Sequence, residues 1–232
     1  MDKYIGITES FSETPIVRNK KVIDNKSPST LDLCLSLPEL QALVESFDGC
    51  DLKKSAMNTV FAHGNPEADV MFIGEAPGVS EDEQGIPFCG QSGKLLDNII
   101  AAIGLNREKN AYITNTVFWR PPANRKPTVE EIGICRPFVK KHIALTKPKL
   151  IVMVGSTAVE SLLSINSPIT KLRGEYFEYT NEYMNGHTIR TTAIFHPSYL
   201  LRQPAHKKTM WFDLLKIKKD CMIDHNGRVQ SL

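Results

Sequence analysis

Apolar positions along the chain follow two alternating rhythms. The run from Asp69 to Ile73, apolar from Val70 onward, has the continuous pattern of a strand buried on both faces, and Gly74 punctuates it. After it, Leu95, Leu96, Ile99, Ile100 and Ile103 fall at helical spacing, with Gly104 placed as a C-terminal cap. Ala111 to Asn115 reads as a second buried strand, and Lys149 to Val154, closed by Gly155, is the clearest parallel strand. Ser156 then starts a helix carrying Val159, Leu162 and Leu163. Tyr176–Thr180 and Thr188–Phe195 are β-branched and aromatic, which predicts strands separated by a turn at Asn185-Gly186.

Two capping boxes fix helix starts. Ser36 with Glu39, and Pro38 in the first turn, predict a helix over 37–47 whose face is Leu40, Leu43, Val44 and Phe47. Thr128 with Glu131 predicts one over about 129–146, bearing Ile132, Cys135, Val139 and Ile143. Tyr199–Arg202 and Thr209–Lys219 also suggest helix. Repeated strand-helix units with short connections predict an α/β fold, a three-layer α/β/α sandwich around a central, mainly parallel four-stranded sheet. Residues 1–35 lack a lasting apolar period and read as a flexible leader, 36–220 as one domain, and 221–232 as a disordered tail.

Composition narrows the picture only a little. With 232 residues, 41% of them hydrophobic and 23% charged, the chain can bury one core. A net charge of +2 is too mild to announce nucleic acid by itself. No apolar run reaches the roughly 20 residues of a membrane helix, and the start lacks a signal-peptide pattern, so a soluble, cytoplasmic protein without a membrane partner is expected, and a monomer. The five cysteines form no CxxC pair and argue against a secreted disulfide framework.

The chemistry concentrates at strand ends. Gly74-Glu75-Ala76-Pro77-Gly78 with Glu81-Asp82, then Gly85, Pro87-Phe88 and Gly90, make an acid-rich loop between a strand and a helix, where open α/β sheets hold ligands. Thr114-Asn115 ends the next strand and leads into Arg120-Pro121-Pro122 and Asn124-Arg125, while His196-Pro197-Ser198 ends the last one. Together these motifs, spread from about residue 40 to about 217, resemble the family 4 branch of the uracil-DNA glycosylases.

That resemblance implies cleavage of the N-glycosidic bond of a uracil flipped out of DNA, leaving an abasic site. Phe88 would stack on the base, and Asn115 would pair with uracil O4 and N3–H, where cytosine presents the reverse pattern. His196 would stabilise charge developing at uracil O2. Glu75 and Glu81 are the candidates for placing water beside an oxocarbenium-like sugar, and Glu81 could instead exclude the thymine methyl. Gly74 and Ala76 belong to the substrate loop; Ala76 stands where other branches carry Asp or Asn, which puts weight on leaving-group stabilisation. Ser198 is expected to bind a phosphate or to cap the next helix. Arg120, Asn124 and Arg125 form one phosphate-gripping cluster, and Arg202, His206, Lys207 and Lys208 another. Leu200 or Leu201 would wedge into the vacated stack, or pack in the core.

The chain departs from the family at its cofactor. Family 4 enzymes typically hold a 4Fe-4S cluster on four cysteines, of which Cys50 and Cys135 align with two, while Phe47 and Trp119 occupy the other positions. Two thiolates do not replace four, so no cluster and no metal are expected. This departure leaves two other readings open: a non-catalytic DNA-binding module of the same fold, and a glycosylase for another deaminated base.

Overall fold

The computed structural model describes residues 30–220 together with Asp224, Arg228 and Val229. In chain order the elements are α1 (Thr30–Leu33), α2 (Leu37–Ser46), β1 (Ala62–Gly64), β2 (Val70–Gly74), α3 (Val79–Gln84), α4 (Gln91–Ala101), β3 (Ala111–Asn115) and α5 (Val129–Thr146). They continue with β4 (Leu150–Val154), α6 (Ser156–Leu163), α7 (Ile169–Leu172), β5 (Tyr176–Tyr179), β6 (Ile189–Ile194), α8 (Pro197–Arg202) and α9 (Lys207–Asp220).

The sheet has six strands in the order β1-β3-β2-β4-β6-β5. The expected parallel core is there as β3-β2-β4-β6, but an antiparallel strand closes each edge, β1 on β3 and β5 on β6, so the count of four is corrected to six. β1 escapes a reading by periodicity because it has only three residues, all half-buried. The central strands alternate between two cores. Met71, Ile73, Ile151 and Met153 pack with α2, α5 and α6 on one face, while Val70, Phe72, Val152 and Val154 pack with α4, α8 and α9 on the other.

Both capping boxes form as expected, with Ser36 accepting from the Glu39 N–H and Thr128 from the Glu131 N–H. Asn185 and Gly186 both take positive φ, +52° and +81°, in the connection between β5 and β6. The acid-rich loop is less open than expected, because it contains α3, whose first turn Glu81 caps by accepting the Gly78 N–H.

The ends also differ from expectation. Residues 1–29 of the leader lie outside the described residues, but from Thr30 the chain is helical, and Cys34 is buried. Of the expected disordered tail, Val229 is buried and donates its N–H to Asp69 Oδ2 at 2.9 Å, with Arg228 3.5 Å from Asp69 Oδ1. These residues dock on the sheet instead of trailing from it. Among the described residues, no helix is long and apolar enough to cross a membrane.

Candidate active site

The C-terminal ends of the parallel strands open into a cleft of about 330 Å³. β2 lies between β3 and β4, so the chain reverses its direction of winding about β2, the place where open α/β sheets leave a crevice. The register pairs Gly74 directly with Asn115. A Cβ at Gly74 would stand 2.4 Å from Asn115 Oδ1 and 2.5 Å from the Phe88 ring, so the floor closes only because this residue is glycine. Glu75, Ala76, Glu81, Phe88, Asn115, His196 and Ser198 line the cleft, which brings together residues 75 to 198 of the expected site.

Asn115 is 1% exposed, and its Oδ1 has no hydrogen-bond partner among the described residues. A buried acceptor left unpaired is costly, on the order of 1–3 kcal/mol, and this one belongs to a residue that lines the cleft, where a donor can reach it. The Phe88 ring lies over Gly74 and 5.6 Å, centroid to centroid, from the His196 ring.

His196 caps α8. Its Nδ1 accepts the backbone N–H of Ser198 at 3.2 Å and lies 2.8 Å from the Ser198 hydroxyl. A backbone N–H can only donate, so Nδ1 is the acceptor and the neutral ring carries its proton on Nε2. Burial, and secondarily the charge of Arg202, lower the His196 pKa to about 4, which keeps the ring neutral near pH 7. Ser198 therefore orients the imidazole in addition to lining the cleft.

The two candidate acids sit in different settings. Glu81 uses both oxygens on backbone, Oε2 for Gly78 N–H at 3.1 Å and Oε1 for Gly90 N–H at 2.9 Å, and so joins the two ends of the loop. Glu75 accepts the Thr157 hydroxyl on Oε2 at 2.5 Å and uses only its main-chain carbonyl on Thr116 and Val117. Ala76 turns its methyl to the core.

On the rim stand Asn124, Arg125 and Arg202, all exposed. Arg125 makes a bidentate pair with Glu131 at 2.6 and 2.8 Å. Arg120 lies off the cleft, donating to Asn124 Oδ1 at 2.7 Å and 3.9 Å from the buried Asp82. Lys207 also lies off it, beside a separate apolar groove with Met210 and Trp211. Leu200 is fully buried, which assigns it to the core and leaves only Leu201 as a wedge candidate.

The positions where a cluster would sit are packed with rings. Trp119 is fully buried, donates Nε1–H to Thr59 Oγ1 at 3.0 Å and stacks with Phe47 at 6.4 Å, while Phe47 meets Phe138 edge-on at 4.9 Å. Cys50 and Cys135 are both buried, and their interaction with each other lowers the Cys50 thiol and pushes Cys135 up. Two thiols walled by aromatic side chains do not fit a four-thiolate cluster.

Four residues without an assigned role support the site. Ser92 lines the cleft from the first turn of α4. Asp82 anchors the 57–58 backbone to α3, accepting from Met57 and Asn58 at 2.8 and 3.2 Å. Thr157 holds Glu75 across 82 residues of sequence, and Arg107 reaches the Phe88 loop across 19. Asp82 and Ser92 sit inside the motif-bearing stretch of residues 74 to 96; Thr157 and Arg107 carry no local signal.

The model of the uracil DNA glycosylase superfamily matches residues 61–215. The chain is similar to the type-4 uracil-DNA glycosylase of Archaeoglobus fulgidus, 35% identical over 190 residues that cover 80% of this chain and 94% of that protein. The type-4 uracil-DNA glycosylase of Sulfurisphaera tokodaii is 38% identical over 79% of this chain and 84% of its own length. That of Thermotoga maritima is 37% identical over 71% and 82%, respectively.

Proposed function

The chain belongs to the uracil DNA glycosylase superfamily, and from that premise we propose that it hydrolyses the N-glycosidic bond of uracil flipped out of DNA, leaving an abasic site. The observation that carries this reading is the buried, unpaired Oδ1 of Asn115 beside the Phe88 ring. A uracil stacked on Phe88 supplies N3–H to that oxygen and O4 to the Asn115 amide N–H, whereas cytosine offers an acceptor and a donor in the reverse order.

The reaction follows from the remaining groups. As the C1′–N1 bond breaks, the electron pair stays on uracil and collects at O2, where the Nε2–H of neutral His196 donates. The sugar gains oxocarbenium character, and water adds to C1′. Glu75, tethered by Thr157, takes the role of orienting that water and receiving its proton, while Glu81, committed to Gly78 and Gly90, shapes the loop. With no polar group at Ala76, catalysis rests mainly on the leaving group. Arg202, Asn124 and Arg125 grip phosphates on either side of the flipped nucleotide, with Arg120 positioning Asn124. The protein is read as a monomer in a reducing compartment, the compartment being supported by free thiols at Cys34, Cys50, Cys89 and Cys135.

An oligonucleotide with one labelled uracil, single- or double-stranded, tests the reaction. Abasic-site formation at uracil and not at cytosine or thymine is expected; binding without cleavage would overturn the reading. The enzyme is also proposed to work without an iron–sulfur cluster. Purified under anaerobic conditions, it should be colourless and free of stoichiometric iron; a visible absorption band together with about four irons per chain would refute this.

A further inference from the structure

We propose that Arg107 is a positioning residue for base recognition, holding the Phe88 platform in the one backbone conformation that presents its ring to the cleft. This rests on the uracil reading of the site and adds a residue to it from outside the recognised motifs.

Phe88 has φ +52°, the left-handed region that non-glycine residues rarely adopt. In an extended chain successive carbonyls point to opposite sides. Here those of Pro87 and Phe88 converge on one guanidinium, with Arg107 Nη1 donating to Pro87 O at 2.9 Å and Nη2 to Phe88 O at 2.8 Å. A planar fork of fixed donors suits this pair of acceptors, which a single ammonium cannot reproduce.

The clamp is itself immobilised. Arg107 is 8% exposed, and its Nε donates to Asp97 on α4 at 2.9 Å. Its own carbonyl accepts the Asn65 N–H at 3.1 Å, fixing the turn that carries it next to β1. From the other side α4 presses on the same peptide, since a Cβ at Gly93 would stand 1.7 Å from Phe88 O. The Phe88 main chain is thus held between a cation and a helix backbone, while its ring lies on Gly74. None of these contacts touches substrate. Their effect is to keep the stacking surface in place before the base arrives, so that binding does not have to order it.

The neighbouring Cys89 is a half-buried thiol and reports on the loop independently of catalysis. Arg107→Gln and Arg107→Lys are to be compared with wild type, well below each variant's Tm, for inhibition by free uracil, for KM and kcat on uracil-DNA, and for the alkylation rate of Cys89 mapped by mass spectrometry. Arg107→Gln should raise the Ki for uracil and the KM about tenfold, more than it lowers kcat, and should speed Cys89 alkylation several-fold. Arg107→Lys should fall between. A folded Arg107→Gln with lowered Tm but wild-type Ki and wild-type Cys89 reactivity would overturn the proposal and leave Arg107 a purely structural residue. If Arg107→Gln does not fold, Asp97→Asn is measured in the same way: a raised Ki and faster alkylation support the clamp, and wild-type values refute it. Failure of wild type to excise uracil would refute the proposed function separately, and the Cys89 rates would still read the clamp.

Discussion

At the floor of the cleft, Asn115 and Phe88 are buried, their neighbours are glycines, and the backbone beneath them is tied by Arg107 and by the β2–β3 register. On the rim, Asn124, Arg125 and Arg202 are exposed, and Arg125 is engaged with Glu131, an ion pair that solvent screens. Under the proposed function, the floor gives up conformational freedom during folding to meet one small, uncharged base with fixed polar atoms. On the same reading, the rim keeps its freedom to meet a uniformly charged backbone whose path varies. Base selectivity is therefore expected to depend on rigidity, and DNA affinity on charge and salt.

The comparison is most severely tested at His196. His196→Ala should lower kcat by about two to three orders of magnitude with little change in KM, measured by single-turnover cleavage. A fall in KM affinity alone would move His196 from the chemistry to the rim. Next, Asn115→Asp should reduce the preference for uracil over cytosine by about 10²-fold, because a carboxylate cannot donate to O4. Competition between the two bases in one reaction reads this directly; an unchanged ratio would remove Asn115 from recognition.

Rim substitutions should act more mildly and without regard to base. Arg202→Ala should weaken DNA binding several-fold for uracil-containing and normal strands alike and reduce the salt slope by about 1. Glu131→Gln should do the opposite at low salt by releasing Arg125, and anisotropy titrations across salt concentrations separate the two. The smallest expected effect concerns pH. His142 lies fully buried under β3, stacked on Phe61 at 4.4 Å and hydrogen-bonded to Tyr112 at 2.9 Å, and burial lowers its pKa from 6.5 to about 3. His196 is lowered in the same direction. A depressed folded-state pKa means that stability is fully present above pH 6.5 and is lost as pH falls from there toward 3. Tm should decline over that window, and His142→Phe, which keeps a ring against Phe61, should flatten the decline.

What could be read in the sequence was what local physics dictates. The buried strands at Val70, Ala111 and Leu150 announce themselves by unbroken apolar runs, and α2 and α5 by capping boxes that act over three residues. The cleft was legible through motifs at strand ends. The supports behind it were not, because Thr157–Glu75, Asp82–Met57 and Arg107–Phe88 are joined only by the folded chain. Leu200 and Lys207 illustrate the same limit. Their composition suits a DNA-facing segment, but the rotation of α8 buries Leu200, and Lys207 begins α9 beside an apolar groove.

The packing of Trp119 also has an optical consequence. The chain has two indoles, and they occupy opposite environments: Trp119 is sealed among Phe47, Phe118 and Thr59, while Trp211 is 44% exposed on α9. Their emission should separate into a blue component, shielded from aqueous quenchers, and a red component open to iodide. Trp119 stands two residues before Pro121, which lines the cleft, so the protein holds an unlabelled fluorophore next to the loop proposed to meet DNA, with a second serving as its internal reference.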